Sequence, residues 1–180
     1  MKHKIFISLD LPEKVKKRLV ATIEKWHDLP VKWVKKQNLH ITLVFLGFVD
    51  KNLLSEICAL VNKASQKSNI FDINFQKIEL FPSQNKPRLV ALTGKSNGEL
   101  KNLVNNIEKN LGISATPKKV FHPHITLGRL RAKKWKSLNF SPEINTKFSF
   151  TLPVENVNIM ASNFKNKERE YIILESCQLK

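Results

Sequence analysis

Two hydrophobic rhythms alternate along the chain. Three segments repeat apolar residues every three or four positions, the spacing of a helix with one buried stripe. Val15, Leu19, Ile23 and Trp26 form the first, behind Asp10, Pro12 and Glu13, which read as a capping box with proline in the first turn. Leu53, Ile57, Leu60 and Ala64 form the second, with Asp50 as its cap. Leu100, Leu103, Val104, Ile107 and Leu111 form the third, opened by a Ser96/Glu99 capping box and closed by Gly112.

Strand-like runs lie between them, near 4–9, 31–35, 39–47, 70–80, 88–94, 123–130, 145–151, 154–162 and 169–178. The stretch Ile41 to Val49 is almost wholly apolar, which predicts a central strand covered on both faces. The last two runs flank Asn163 to Glu168 and predict a hairpin with a basic tip. Short connections between neighbouring runs predict antiparallel pairing. The expected class is therefore α+β, with helices packed outside mostly antiparallel sheets. Segments 81–87 and 131–143 read as loops, and no Gly/Ser linker divides residues 1–180, so one domain is expected.

Charge adds a partner class. Lys and Arg number 31 against 15 acidic residues, a formal net charge of +16. Such a surface attracts polyanions, although a lysine-rich solvated surface gives the same total. The apolar fraction of 42% belongs to a folded protein rather than a disordered one. No apolar run is long enough to span a bilayer, and the first ten residues form a strand too short for a secretory core. Cys58 and Cys177 have no zinc-type spacing. They read as reduced core thiols, and a cytoplasmic monomer is expected.

The chemistry is carried by a repeat. His40-Ile41-Thr42-Leu43 and His124-Ile125-Thr126-Leu127 are identical, in a chain with five histidines. On a strand, residues i and i+2 share a face, so each copy presents an imidazole beside a hydroxyl while Ile and Leu anchor the other face. Two half-units packed with motifs facing would line one cleft with two imidazoles and two hydroxyls. Opening a cyclic phosphodiester with water needs one base for the water proton and one acid for the leaving oxygen. Histidine can be neutral in one place and protonated in another at one pH. The threonine hydroxyls can stabilise the non-bridging oxygens. A metal site would want more ligands, and neither motif has Asp, Glu or Cys beside it, so neither metal nor cofactor is expected.

With these flanks the chain resembles the two-histidine (2H) phosphoesterases, specifically the RNA 2′,3′-cyclic phosphodiesterases once called 2′-5′ RNA ligases. The resemblance runs through Lys4–Pro12, Val31–Val34, Asn38–Gly47, Phe81-Pro82, Pro87-Arg88 and Phe121–Arg129. It implies a bilobal, pseudo-twofold fold of two mostly antiparallel sheets, interleaved in sequence, with one motif per lobe and the active-site cleft between them. It implies metal-independent hydrolysis of an RNA 2′,3′-cyclic phosphate, or of a small cyclic nucleotide, to a 2′-phosphomonoester. By motif position His40 would donate a proton, His124 would accept one, and Thr42 and Thr126 would hold the phosphate.

Phe45 and Arg129 each stand five residues after a motif histidine and are candidates for holding the base or phosphate. Strict alternation would point both away from the histidine face, so a bulge at Gly47 or Gly128 is required. Trp33, Trp135 and the tip 164–167 could stack with or attract RNA, or simply pack and be solvated. The strand after Arg88 runs Leu89-Val90-Ala91-Leu92, where many relatives carry an aromatic. Two other activities fit the same sequence: 2′-5′ RNA ligation in the same cleft, and RNA binding without catalysis.

Overall fold

Apolar residues spaced for strands and for helices pack into one hydrophobic core. In the computed structural model, residues 2–113, 121–165 and 168–180 are described. The strands are β1 (Lys2–Leu9), β2 (Val31–Trp33), β3 (Ile41–Asp50), β4 (Phe71–Phe81), β5 (Leu89–Gly94), β6 (His124–Leu130), β7 (Asn145–Val154), β8 (Asn156–Lys165) and β9 (Glu168–Gln178). The helices are α1 (Glu13–Ile23), α2 (Leu54–Ser65), α3 (Gly98–Asn110) and the short α4 (Ala132–Lys136).

The sheet order is β7-β4-β5-β6-β3-β1-β8-β9, with β2 also on β6. Every pairing is antiparallel. The expected class, α+β with antiparallel pairing, therefore holds. The expected pair of separate sheets is corrected to one, because β3 and β6 join edge to edge through the pair Ile41–Ile125. Four strands of that order stand on either side of the junction, β2 adds a fifth on the β6 side, and each side contains one motif strand.

The core includes Ile5, Ile7 and Leu9 of β1, Ile41 of β3, Leu92 of β5 and Ile125 of β6, all 2% exposed or less. Val15, Leu19 and Ile23 of α1 and Leu100, Leu103, Val104 and Ile107 of α3 bury the stripes that their spacing predicts. On α2 the stripe is rotated. Val61 and Ala64 are buried, whereas Leu53 precedes the helix and is exposed. A 3₁₀ turn at Lys51–Leu53 displaces the helix start, and Asp50 caps that turn by accepting from the Asn52 amide.

Two other caps differ from expectation. Asp10 makes no cap; its carboxylate meets the buried Lys16 ammonium at 2.7 Å. Asn97, not Ser96, caps α3 through the Leu100 amide. Gly112, at φ +65°, closes that helix in the left-handed conformation expected of it. The loop 131–143 contains the one-turn helix α4. Trp135 on α4 and Trp33 on β2 are both half-buried against the core. The β8–β9 hairpin is present, and its tip residues 166–167 lie outside the described residues. Both cysteines are free thiols, Cys177 buried and Cys58 half-buried. Among the described residues no helix is long and apolar enough to cross a membrane.

Candidate active site

Ile41 and Ile125 are cross-strand partners with no exposed surface. Strand alternation then turns His40, Thr42, His124 and Thr126 to the opposite face. An antiparallel register through this pair lays His40 toward Thr126 and Thr42 toward His124. All four side chains are half-buried. The fold thus brings together the four residues that the sequence singles out.

Both imidazoles are held alike. His40 donates from Nδ1 to the Asn38 carbonyl at 2.7 Å, and His124 donates from Nδ1 to the His122 carbonyl at 2.9 Å. A backbone carbonyl can only accept, so each Nδ1 carries the proton and each Nε2 is left for chemistry. His40 Nε2 lies 2.9 Å from Thr42 Oγ1. That hydroxyl donates to a neutral His40 and accepts from a protonated one.

The surroundings of the two rings differ. His40 sits against Phe6 (4.9 Å between ring centroids) and meets Tyr171 edge-on at 5.1 Å and 89°. Phe6 and Tyr171 touch each other at 5.0 Å. His124 stacks on Phe81 at 4.5 Å and 20°. Burial pushes the His40 imidazole below its ordinary range of about 6.5; the Asn38 carbonyl and Asp10 oppose this, while Lys16 and His124 reinforce it. A charge on His124 therefore disfavours a charge on His40.

Each motif strand contains an extra residue at the leucine of its motif. Thr42 pairs with Ser8 and Val44 with Ile7, leaving Leu43 unmatched. Thr126 pairs with Ala91 and Gly128 with Val90, leaving Leu127 unmatched. Alternation shifts by one at these points, which brings Phe45 and Arg129 back to the histidine face. The required bulges thus fall at Leu43 and Leu127 rather than at Gly47 or Gly128. A second shift in β3, at Leu46, precedes Gly47, whose φ is +74°.

Phe45 is 67% exposed and lies 6.1 Å from the Phe6 ring. Phe48 is also exposed, so β3 is central in the sheet but open on one face, against the expectation of two covered faces. Of the apolar residues in β3, Leu43, Val44 and Val49 fill the core and Phe45 and Phe48 face outward. Arg129 is exposed on β6. Because β3 and β6 run in opposite directions from Ile41 and Ile125, Phe45 and Arg129 lie beyond opposite ends of the motif pair.

Sequence reasoning did not assign Tyr171, Phe6 or Phe81 to the site, nor the carbonyls of Asn38 and His122. Phe6 and Phe81 lie in the flanks that carry the resemblance. Tyr171 is the only tyrosine in the chain, and only the fold brings it to His40. Asn38 is buried, and its amide donates to the Arg169 carbonyl, tying β9 to the turn that orients His40. Among the described residues no three His, Cys, Asp or Glu side chains gather as a metal site.

A model of the LigT-like phosphoesterase family matches residues 9–91, a span that contains the first motif. An RNA 2′,3′-cyclic phosphodiesterase of Archaeoglobus fulgidus is 30% identical over 132 residues, covering 72% of this chain and 74% of the relative. The chain belongs to the LigT-like phosphoesterase family. A second relative, the RNA 2′,3′-cyclic phosphodiesterase of Thermotoga maritima, is 29% identical over 184 residues, covering 96% and 94% of the two chains. Among solved structures, TT0787 of Thermus thermophilus superposes with a TM-score of 0.77 at 26% identity, covering 99% of this chain and 98% of the other. The second motif, beyond the family match, is therefore part of an architecture that this chain shares with TT0787 over nearly the full length of both.

Proposed function

We propose that the protein hydrolyses RNA 2′,3′-cyclic phosphate ends to 2′-phosphomonoesters by acid–base catalysis between His40 and His124. The observation that carries this reading is the common anchoring of the two rings. Each imidazole is fixed through Nδ1 to the carbonyl two residues before it, on strands that meet at Ile41–Ile125. Two Nε2 atoms are thereby offered to one substrate group from two sides.

In the proposed step a water oxygen attacks phosphorus and gives its proton to His124 Nε2. The phosphorus–O3′ bond breaks, and O3′ takes the proton from His40 Nε2. The product is a 2′-phosphate with a free 3′-hydroxyl, and the two histidines have exchanged protonation states. Solvent restores them. Thr42 and Thr126 donate to the non-bridging oxygens, where charge gathers in the transition state. The hydrogen bond from His40 Nδ1 to the Asn38 carbonyl supports the imidazolium that donates.

The depressed pKa of His40 makes that imidazolium a stronger acid than an exposed one, and an anionic phosphate beside it restores its proton occupancy. The Phe45 ring is suited to stack on the terminal base, and the Arg129 guanidinium to hold a phosphate. Their places at opposite ends of the motif pair favour these separate contacts over a sandwich of one base. The test is incubation of the pure protein with a cyclic-ended oligoribonucleotide in the presence of a chelator. Conversion to a 2′-phosphate supports the reading; an unchanged cyclic end rejects it.

A further inference from the structure

Lys32 on β2 is the direct cross-strand partner of Arg129 on β6. Like charges in that position repel, with side chains about 5 Å apart at their bases. The close approach of β2 is built in at Gly128. A Cβ there would lie 2.4 Å from Val31 Cγ1 and 2.8 Å from Trp33 Cε3. Val31 and Trp33 thus face the Gly128 side, toward the core, and Lys32 shares the outer face with Arg129. After the bulge at Leu127 that is also the face of His124 and Thr126, with Arg129 about 7 Å along the strand from Thr126.

Both cations are exposed, and neither forms an ion pair among the described residues. Nearby lysines are treated differently: Lys35 meets Glu168 and Lys36 meets Glu13. On its other side Arg129 faces Leu89, which supplies no counter-charge, and among the described residues no second strand pairs with β2 beyond Lys32.

We infer that Lys32 and Arg129 together hold the phosphate that precedes the cyclic end, which makes an RNA strand, rather than a free cyclic nucleotide, the substrate class of this site. The inference rests on the proposed cyclic phosphodiesterase activity and adds Lys32 as a specificity-determining residue. A phosphate between two unpaired cations relieves their repulsion, so the pair is unfavourable when empty and favourable when occupied. A nucleoside 2′,3′-cyclic phosphate has no second phosphate and gains nothing from it.

The test compares a cyclic-ended RNA pentamer with 2′,3′-cyclic AMP on the parent, Lys32→Ala and Lys32→Arg. The parent favours the pentamer in kcat/KM. Lys32→Ala raises KM for the pentamer by about three- to ten-fold more than for cyclic AMP, the scale of an exposed charge contact. Lys32→Arg restores the discrimination, and the salt dependence of pentamer KM is shallower in Lys32→Ala than in the parent. Equal change on both substrates, or no change on either, overturns the inference while leaving the cyclic phosphodiesterase reading intact. If the parent opens neither substrate, that reading falls and the inference falls with it.

Discussion

Ile41 and Ile125, the second residues of two identical tetrapeptides, face each other across β3 and β6 with no exposed surface. The pair joins the two halves of the sheet, and it fixes which face the histidines and threonines take. Shortening Ile125 to Ala removes buried methyl groups beneath both motifs and costs about 2–5 kcal/mol. Ile125→Val costs about 0.5–1.5 kcal/mol. Urea titration with a shared slope is the check, and Ile125→Ala should lower activity more steeply than Ile125→Val, because it loosens the motif strands.

The aromatic surroundings of His40 predict a pH signature. Its pKa lies below about 6.5, chiefly through burial, and Phe6 and Tyr171 are rings packed against it. As proton donor His40 must be charged, so kcat/KM falls as pH rises through the depressed value. Tyr171→Ala admits water, raises that pKa toward 6.5 and moves the alkaline limb of the profile upward. Were His40 the acceptor, the acid limb would move instead. Stability runs the opposite way: the unfolded chain binds this proton more readily, so the contribution is present above about 6.5 and is lost as pH falls through the folded pKa. His40→Gln should flatten that acid loss in a pH series of thermal melts.

Gly128 is required by the approach of β2. Gly128→Ala puts a methyl group into Val31 and Trp33, and overpacking of this kind costs about 1–3 kcal/mol. Gly98, whose Cβ would meet nothing, is the control and should tolerate alanine with a change below about 1 kcal/mol. Thermal unfolding of the two variants separates the cases.

Much of this fold was legible from alternation and helical spacing, because β1, β6, α1 and α3 bury the residues whose periodicity announces them, whereas the apolar run of β3 exposes Phe45 and Phe48. The site was legible because the tetrapeptide occurs twice. The bulges at Leu43 and Leu127 could be required by argument but not located, since register is a property of two strands and a sequence displays one. Tyr171 was invisible for a related reason: it is 131 residues from His40, and the contact is made through the β8–β9 hairpin. Two caps fell elsewhere: the Asp10 carboxylate meets the Lys16 ammonium instead of capping α1, and the cap of α3 moves one residue to Asn97, whose amide also donates to the Asp72 carbonyl.

Phe45 presents most of its ring to solvent, so its removal should spare the fold. Phe45→Ala is expected to change stability by less than about 1 kcal/mol and to raise KM for a cyclic-ended RNA, with about 1–3 kcal/mol of stacking at stake. Phe45→Tyr should retain near-parent KM. Steady-state kinetics beside a melting curve distinguishes loss of binding from loss of structure.

The most direct measurement is single-turnover cleavage of a 2′,3′-cyclic-ended oligoribonucleotide by the parent, His40→Ala and His124→Ala, with chelator present and the phosphate isomer of the product resolved. The parent should yield the 2′-phosphate, and each variant should fall by about 10²-fold or more while its melting curve remains cooperative. Retention of parent-like cleavage by either folded variant would contradict the account, because the remaining imidazole cannot serve as both donor and acceptor across one phosphorus.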